Sequence, residues 1–180
     1  MRADARRNRE RIVEVAGVAI AEQGADASLE EIARRAEVGS ATLHRHFPTR
    51  QALLEAVFTD RVEALCDQAR ALAADLAPGP ALVAWLRAVG GHAAANRGLA
   101  ASLLRGADPS LGRTCHAMIT AAGDGLLAAA RRAGDVRADV PIVDLLKLAN
   151  AVALAAEGEP GEADRLLTLA LTGIHPGPRP

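Results

Sequence analysis

Residues 28–50 constrain the fold of this chain most strongly, because they have the pattern of two short helices joined by a tight turn. Ser28 and Glu31 have the spacing of a capping box. In this motif the serine hydroxyl accepts a hydrogen bond from the Glu31 amide, and the Glu31 carboxylate accepts one from the Ser28 amide. Gly39 predicts the turn, since glycine adopts backbone angles that a side chain resists. Ser40 is then the expected cap of the second helix. The segment therefore predicts a helix-turn-helix.

The side chains available for a core indicate an all-α protein. Half of the residues are apolar but only 2% are aromatic, so alanine and leucine must dominate the core. These are strong helix formers, whereas the residue types that favour strands are sparse. Apolar stripes at three- and four-residue spacing, separated by glycine and proline, predict about nine helices. Their expected ranges are 5–23 (or from 8), 28–36, 40–46, 50–76, 81–95, 99–104, 110–133, 141–157 and 163–173, followed by a disordered tail at 176–180.

The charge pattern is compatible with a nucleic-acid partner only locally. The net charge is -1, so any such function must rest on clustered basic groups. The second helix of the motif carries small, polar and basic side chains, which are the types that read base edges in a major groove. A second cluster lies in the first eleven residues, either as a solvated terminus or as a basic arm beside DNA. It consists of Arg2, Arg6, Arg7, Arg9 and Arg11.

The N-terminal helices resemble the DNA-binding domain of the TetR family of bacterial transcriptional regulators. The matching residues are Leu29, Ile32, Ala33, Ala36, Val38, Ala41, Thr42, Leu43, His46, Phe47, Thr49, Arg50 and Leu53. The resemblance implies a DNA-binding domain over residues 1–48, with the helix-turn-helix at about 29–48. It also implies a helical ligand-binding and dimerisation domain over residues 49–175.

Three positions depart from the family pattern. His44 stands where the family usually has tyrosine, Arg50 where it has lysine, and Glu37 where it has glycine. Arg50 keeps the positive charge, His44 keeps a ring and a donor, and Glu37 is read as neutral. The resemblance implies DNA contacts through Ser28, Arg35, Ser40, Ala41, Thr42, His44, Arg45, His46, Thr49 and Arg50. Within this set, helix N-termini suit phosphate, and Arg45 suits a guanine edge.

The two C-terminal helices predict a homodimer interface. The helix over 141–157 is apolar almost all round, and both helices carry small residues that permit close approach. The expected interface residues are Leu145, Ala149, Val152, Leu166, Leu167 and Ala170. The alternative is that both helices fill the monomer core. A dimer would place two reading helices about 34–36 Å apart on a palindromic operator.

The family resemblance also implies a small-molecule pocket, whose position the sequence indicates only weakly. The candidates are Trp85, Val89, His92, Cys115, Met118 and Asn150. Each of them can equally be a core residue. A mostly apolar pocket with a few polar groups would suit an apolar or amphipathic effector.

Several function classes are not indicated by any pattern in the sequence. The chain contains no P-loop, nucleophile elbow, HExxH or dinucleotide fingerprint, so we predict no enzyme. The cysteines Cys66 and Cys115 form no CxxC, so neither a metal nor a cofactor is expected. No charge-free apolar segment is long enough to span a membrane.

The prediction is a cytoplasmic, nucleoid-associated bacterial repressor that responds to a ligand. The alternative is a DNA-binding regulator that is constitutive or controlled by a protein partner.

Overall fold

The computed structural model describes residues 2–96, 99, 109–156 and 161–171. This part of the chain contains helices and no strand, which confirms the all-α prediction. Its helices are α1 (Arg2–Gln23), α2 (Leu29–Arg35), α3 (Ser40–His46), α4 (Arg50–Asp75), α5 (Pro78–Ala95), α6 (Pro109–Ala133), α7 (Ile142–Ala155) and α8 (Glu162–Leu171).

Helix boundaries follow the glycine and proline signals, with two extensions. Gly24 ends α1 at a φ of 84° and donates its N–H to the Ile20 carbonyl at 2.9 Å. The start of α5 is Pro78, earlier than expected, because proline fits the first turn of a helix. The α1 helix already begins at Arg2, so the arginine cluster is helical. The helix predicted over 99–104, apart from Leu99, and the tail at 176–180 lie outside the described residues.

The chain divides into two compact units. Unit 1 comprises Met1–Arg61 and Ala95–Arg113, and unit 2 comprises Val62–Ala94 and Thr114–Pro180. The first part of α4 therefore packs with the N-terminal helices, because side chains such as Leu53 are buried in their core. The functional division at residue 48 stays a prediction, since it concerns roles and the units concern packing.

The core of unit 1 is aliphatic and contains one buried phenylalanine. Ile12 from α1, Ile32 from α2, Leu43 from α3 and Leu53 from α4 are each at most 1% exposed, and Phe47 packs among them. Truncating one such aliphatic residue typically costs about 2–5 kcal/mol. Burial of Leu43 consequently fixes which face of α3 points to solvent.

A half-buried arginine in unit 1 links α4 to α1 and to Asn96. Arg61 on α4 donates to the Gly17 carbonyl of α1 at 2.6 Å and to the side-chain oxygen of Asn96, which follows α5. Asn96 is only 4% exposed. Desolvation lowers the pKa of Arg61, and these oxygens compensate for the water that its guanidinium loses.

Unit 2 is organised around the single tryptophan. Trp85 is completely buried, and its Nε1–H donates to the Leu65 carbonyl at 3.0 Å. A Cβ built on Gly123 would lie 2.7 Å from Cζ3 of Trp85 and 2.7 Å from Cγ1 of Ile142. The Gly-Asp-Gly sequence in α6 is thus where the indole ring approaches the backbone. Within the described ranges, no helix is both long and apolar enough to cross a bilayer.

We predict opposite effects for two glycine substitutions in α6. Gly123→Ala should lower the free energy of unfolding by roughly 1–2 kcal/mol, because overpacking against Trp85 and Ile142 outweighs the gain in helix propensity. Gly125→Ala is the matched control, since its Cβ meets nothing within 4 Å, and it should stabilise by up to about 1 kcal/mol. Urea unfolding followed by circular dichroism measures both. Equal effects would contradict the packing argument.

Candidate nucleic-acid interface

The start of α2 contains half of the predicted capping box. The Ser28 hydroxyl accepts from the Glu31 amide at 3.4 Å, as expected. The Glu31 carboxylate does not serve as the second half, because it is bonded to arginines. It accepts from Arg34 at 2.8 and 2.7 Å and from Arg35 at 2.7 Å. Competition from two guanidinium groups explains why the predicted hydrogen bond from the Ser28 amide to the Glu31 carboxylate is not formed.

The turn after α2 depends on Glu37 rather than on Gly39. The Glu37 amide donates to the Arg34 carbonyl at 3.1 Å, and the Val38 amide donates to the Ala33 carbonyl at 3.0 Å. This Schellman motif requires a left-handed residue, and Glu37 has a φ of 53°. Gly39 has an ordinary extended conformation, at φ -69° and ψ 149°. The prediction that Gly39 supplies the unusual angles is wrong, and so is the neutral interpretation of Glu37.

The α3 helix presents a mixed polar surface above a buried leucine. Gly39, not Ser40 as predicted, is its N-cap, because Ser40 already has helical geometry. Leu43 is buried and Thr42 is half-buried. The exposed residues of α3 are Ser40, Ala41, His44 and Arg45.

His46 lies differently from its neighbours on α3. Its side chain is half-buried, and its Nε2 is buried without a hydrogen-bond partner among the described residues. The ring lies 6.4 Å from that of Phe47. This placement is set by packing rather than by access to solvent, so it does not favour the predicted contact of His46 with DNA.

Two arginines of α1 support the motif from outside it. The Arg9 guanidinium lies 5.4 Å from the Phe47 ring centroid, and Arg11 donates to the Glu37 carbonyl at 3.5 Å. The sequence interpretation grouped these residues only as part of a basic terminus. A signal was present for Arg9, since its spacing to Ile12 and Ala16 places it on the apolar stripe of α1.

The start of α4 is capped by Thr49 and anchored by Arg50. The Thr49 hydroxyl accepts from the Ala52 amide at 3.1 Å. Arg50 donates to the carbonyls of Ala27 at 2.6 Å and Ala25 at 3.2 Å. Arg50, for which the family resemblance implied a DNA contact, therefore links α4 to the loop preceding α2.

Acidic neighbours neutralise part of the basic surface. Arg35 pairs with Glu31 and, at 2.8 Å, with Glu22. Hydrogen bonds from Arg34 and Arg35 lower the pKa of Glu31 to about 2. Because the folded-state pKa is depressed, the stabilisation is present above about pH 4.5 and is lost as the pH falls towards 2. Arg45 forms no ion pair within the part of the chain that the structure describes, so its charge is uncompensated.

The candidate effector residues line neither of the two cavities that the described residues of unit 2 form. Trp85, Val89 and Cys115 are buried in the protein interior, whereas Asn150 is exposed. The other two, His92 and Met118, are half-buried. Two cavities in unit 2 are lined by other residues. The larger, of about 230 Å³, lies between α5, α7 and α8, and the smaller, of about 170 Å³, lies between α4 and α6. Trp85 packs in the core of unit 2 and borders neither of these cavities, as in the alternative interpretation of this residue.

The residues predicted for the dimer interface fall into two groups. Leu145, Ala149 and Leu167 are at most 3% exposed and belong to the core of unit 2. Their side chains pack within one chain, which is the alternative that both helices fill the monomer core. Those that retain partial exposure are Val152, Leu166 and Ala170.

Comparison with known proteins identifies the family. The sequence model described as bacterial regulatory proteins, tetR family, matches residues 12–57. A second model, described as the C-terminal domain of SbtR-like transcriptional regulators, matches residues 77–176. The chain therefore belongs to the TetR family of transcriptional regulators, which are DNA-binding regulators and not enzymes. No significant match was found among curated proteins.

Solved structures agree with this assignment over nearly the whole chain. A TetR transcriptional regulator from Streptomyces coelicolor is 38% identical with a TM-score of 0.80, covering 94% of this chain and 99% of its own. A TetR transcription regulatory protein from Mycobacterium vanbaalenii is 40% identical with a TM-score of 0.79, covering 97% and 99%. FadR from Thermus thermophilus shares the fold at 24% identity and a TM-score of 0.59, covering 96% and 98%.

We predict that Glu37→Gly stabilises the protein. Glycine removes the steric cost of the left-handed conformation, so the free energy of unfolding should rise by about 1 kcal/mol. The matched control is Gly134→Ala, since Gly134 has the same role after α6, at a φ of 81°. That substitution should destabilise by about 1 kcal/mol. Thermal and urea unfolding measure both, and a destabilised Glu37→Gly variant would show that the Glu37 side chain has a compensating role.

Proposed function

We propose that this TetR-family regulator is a ligand-responsive repressor that binds a palindromic operator as a homodimer. The observation that supports DNA reading most directly is the exposed face of α3, fixed by the buried Leu43 beneath it. The face lies within the segment that matches the family's DNA-binding domain. Cytoplasmic, nucleoid-associated action follows from this proposal.

Within the face, we assign different roles to different residues. Arg45 is the base reader, because its guanidinium is exposed and uncompensated among the described residues and can fork onto guanine. Ser40, Ala41 and His44 border the same surface and are proposed to contact bases or phosphate. Ser28 is exposed at the start of α2, where its cap leaves the helix N-terminus available to phosphate.

Arg35, His46, Thr49 and Arg50 have weaker support as direct DNA contacts. Arg35 would have to leave two carboxylates, Arg50 already bonds two carbonyls, and His46 is turned into the packing. Thr49 is exposed but acts as a cap. We propose that Arg50 positions the reading helix indirectly, by holding the loop before α2.

The dimer interface is proposed on the exposed sides of α7 and α8. Leu154 is 59% exposed and Leu169 is 67% exposed, the two highest values among the large apolar side chains that the structure describes, and they lie on two helices that contact each other. A second copy would remove both from water, and the half-buried Val152, Leu166 and Ala170 extend the same two helices. A two-fold dimer would also provide the second reading helix that a palindrome requires.

Ligand response is proposed from the cavities of unit 2 and from the fold's relatives. FadR was solved in complex with lauroyl-CoA. RolR, another solved structure with this fold at 17% identity and a TM-score of 0.64, was solved with resorcinol. A ligand would alter operator affinity only by its differential free energy for the two states. The second candidate, a regulator without an effector, predicts an operator affinity that no small molecule changes.

Capture of genomic fragments by the purified protein tests the proposal. A salt concentration of about 0.1 M limits non-specific binding, because phosphate contacts dominate binding at lower salt. Sequencing should return a palindrome with half-sites about one helical turn apart. Random fragments or no fragments would contradict sequence-specific reading by the free protein.

Arg45→Ala should weaken operator binding by about 1–3 kcal/mol and relax the preference at one base pair of each half-site. The reason is the loss of the forked hydrogen bonds to guanine. Arg132→Ala, on the exposed part of α6, is the control and should leave affinity unchanged. Fluorescence anisotropy on the captured operator and its single-base variants gives both quantities. A uniform loss across all sequences would indicate a phosphate contact instead.

Replacing Leu154 and Leu169 together by glutamate should convert the dimer to a monomer. Each chain would then bury two unpaired carboxylates at the interface, which would cost several kcal/mol. Val18→Glu is the control, because Val18 on α1 is similarly exposed, at 53%, but lies outside the proposed interface. Sedimentation velocity measures the mass, and a double variant that stays dimeric would place the interface elsewhere.

A further inference from the structure

The 230 Å³ cavity of unit 2 owes its space to the lack of side chains on its α5 wall. Gly90 and Gly91 line it from α5, Val152 and Ala153 from α7, and Leu167 from α8. A Cβ on Gly91 would meet nothing within 4 Å. The two adjacent glycines interrupt a helix that is otherwise rich in good helix formers, so this space costs helix stability.

One ion pair forms the polar part of the wall. Arg87 on α5 is bonded to the Asp164 carboxylate and donates to the Thr168 hydroxyl at 3.1 Å. Arg87 and Asp164 both line the cavity, and they bridge α5 to α8. Their charges compensate each other, so the wall offers hydrogen-bonding groups without a net charge.

We infer that this cavity binds a compact, neutral molecule with an apolar ring or branched body and one hydroxyl or carbonyl group. An anion at Arg87 would be repelled by the adjacent Asp164 carboxylate, and a cation at Asp164 would be repelled by the adjacent Arg87 guanidinium. A neutral polar group can bond to the pair without breaking it, while the apolar body contacts Val152, Ala153 and Leu167.

The volume limits how much of a ligand this partly open site can enclose. A cavity of about 150 Å³ accommodates benzene, so 230 Å³ corresponds to roughly ten non-hydrogen atoms. A larger ligand would leave part of its body in solvent, because the site is partly open and its lining residues Arg87, Gly91 and Asp164 are exposed. The role of this molecule as an effector rests on the proposed ligand-responsive function, whereas its binding to the cavity does not.

The test uses ligands that share one ring and differ in charge. Cyclohexanol and phenol are the neutral probes, and cyclohexanecarboxylate and cyclohexylamine are the charged counterparts. Saturation-transfer NMR and titration calorimetry on the full chain should show that the neutral probes bind at least about tenfold more tightly, a difference of about 1.4 kcal/mol. Equal or tighter binding of a charged counterpart, or no neutral binding at millimolar concentration, would overturn the inference.

Variants locate the binding. Gly91→Leu places a side chain at the cavity wall without a clash at Cβ, and it should weaken cyclohexanol binding at least about tenfold. Gly90→Ala is a milder second variant, because its Cβ would lie at ordinary contact distances of 3.5 and 3.7 Å from Ala149 and Ala153. Gly112→Leu on α6 is the control, since its Cβ also meets nothing within 4 Å and it lines neither cavity. Unchanged probe binding in folded Gly91→Leu protein would place the probes elsewhere and overturn the inference.

Two further measurements separate this inference from the proposed function and from dimerisation. Operator capture without any probe tests DNA reading alone. If an operator is recovered but the probes do not bind the protein, only the cavity assignment is contradicted. Probe binding without operator recovery removes only the repressor proposal. A Gly91→Leu variant that loses dimerisation but still binds cyclohexanol would show that the second copy, and not a small molecule, occupies this site.

Discussion

Close approach between helices is the constraint on which the rest of this structure depends. A chain with one tryptophan, two phenylalanines and no tyrosine has few large side chains to fill a core. Its helices must therefore pack at short distances through alanine, glycine and leucine. The contact of Trp85 with the backbone at Gly123 is the extreme case, because the largest side chain is accommodated only where another helix has none. The same scarcity of side chains leaves the open cavity beside Gly91.

The helix-turn-helix shows how local strain and tertiary support are combined. The left-handed Glu37 closes the Schellman motif at the end of α2, and Arg11 reaches its carbonyl from α1. Arg9 covers Phe47, while Arg50 holds the loop on the other side of α2. Much of the arginine content of this region thus stabilises the position of α3. Fewer arginines remain for DNA than the sequence indicates, which makes the contribution of Arg45 more important.

Sequence reasoning located several local features, although it assigned the unusual turn angles to Gly39 instead of Glu37 and the α3 cap to Ser40 instead of Gly39. Stop signals such as Gly24, the Ser28 cap and the bounds of α3 follow from contacts within a few residues, and all three are observed. Sequence reasoning was less successful for side chains whose contacts come from residues distant in the sequence or from several competing partners. Glu31 was expected at a backbone amide but binds two arginines, and Trp85 was considered for a pocket but fills the core. Those outcomes depend on which helices meet, which periodicity alone does not specify.

The sequence by itself determined the helical class, most helix boundaries and the family, because these depend on short-range propensity, apolar spacing and a compact motif. Only the tertiary structure decided how each buried or charged group is satisfied. It placed Leu145 and Leu167 in the core and left Leu154 and Leu169 exposed, although all four lie on apolar helices. It also opened a cavity beside Arg87 and Asp164, two residues that the sequence did not single out. The physical reason is that burial and pairing are properties of several helices at once, whereas a sequence pattern describes one helix at a time.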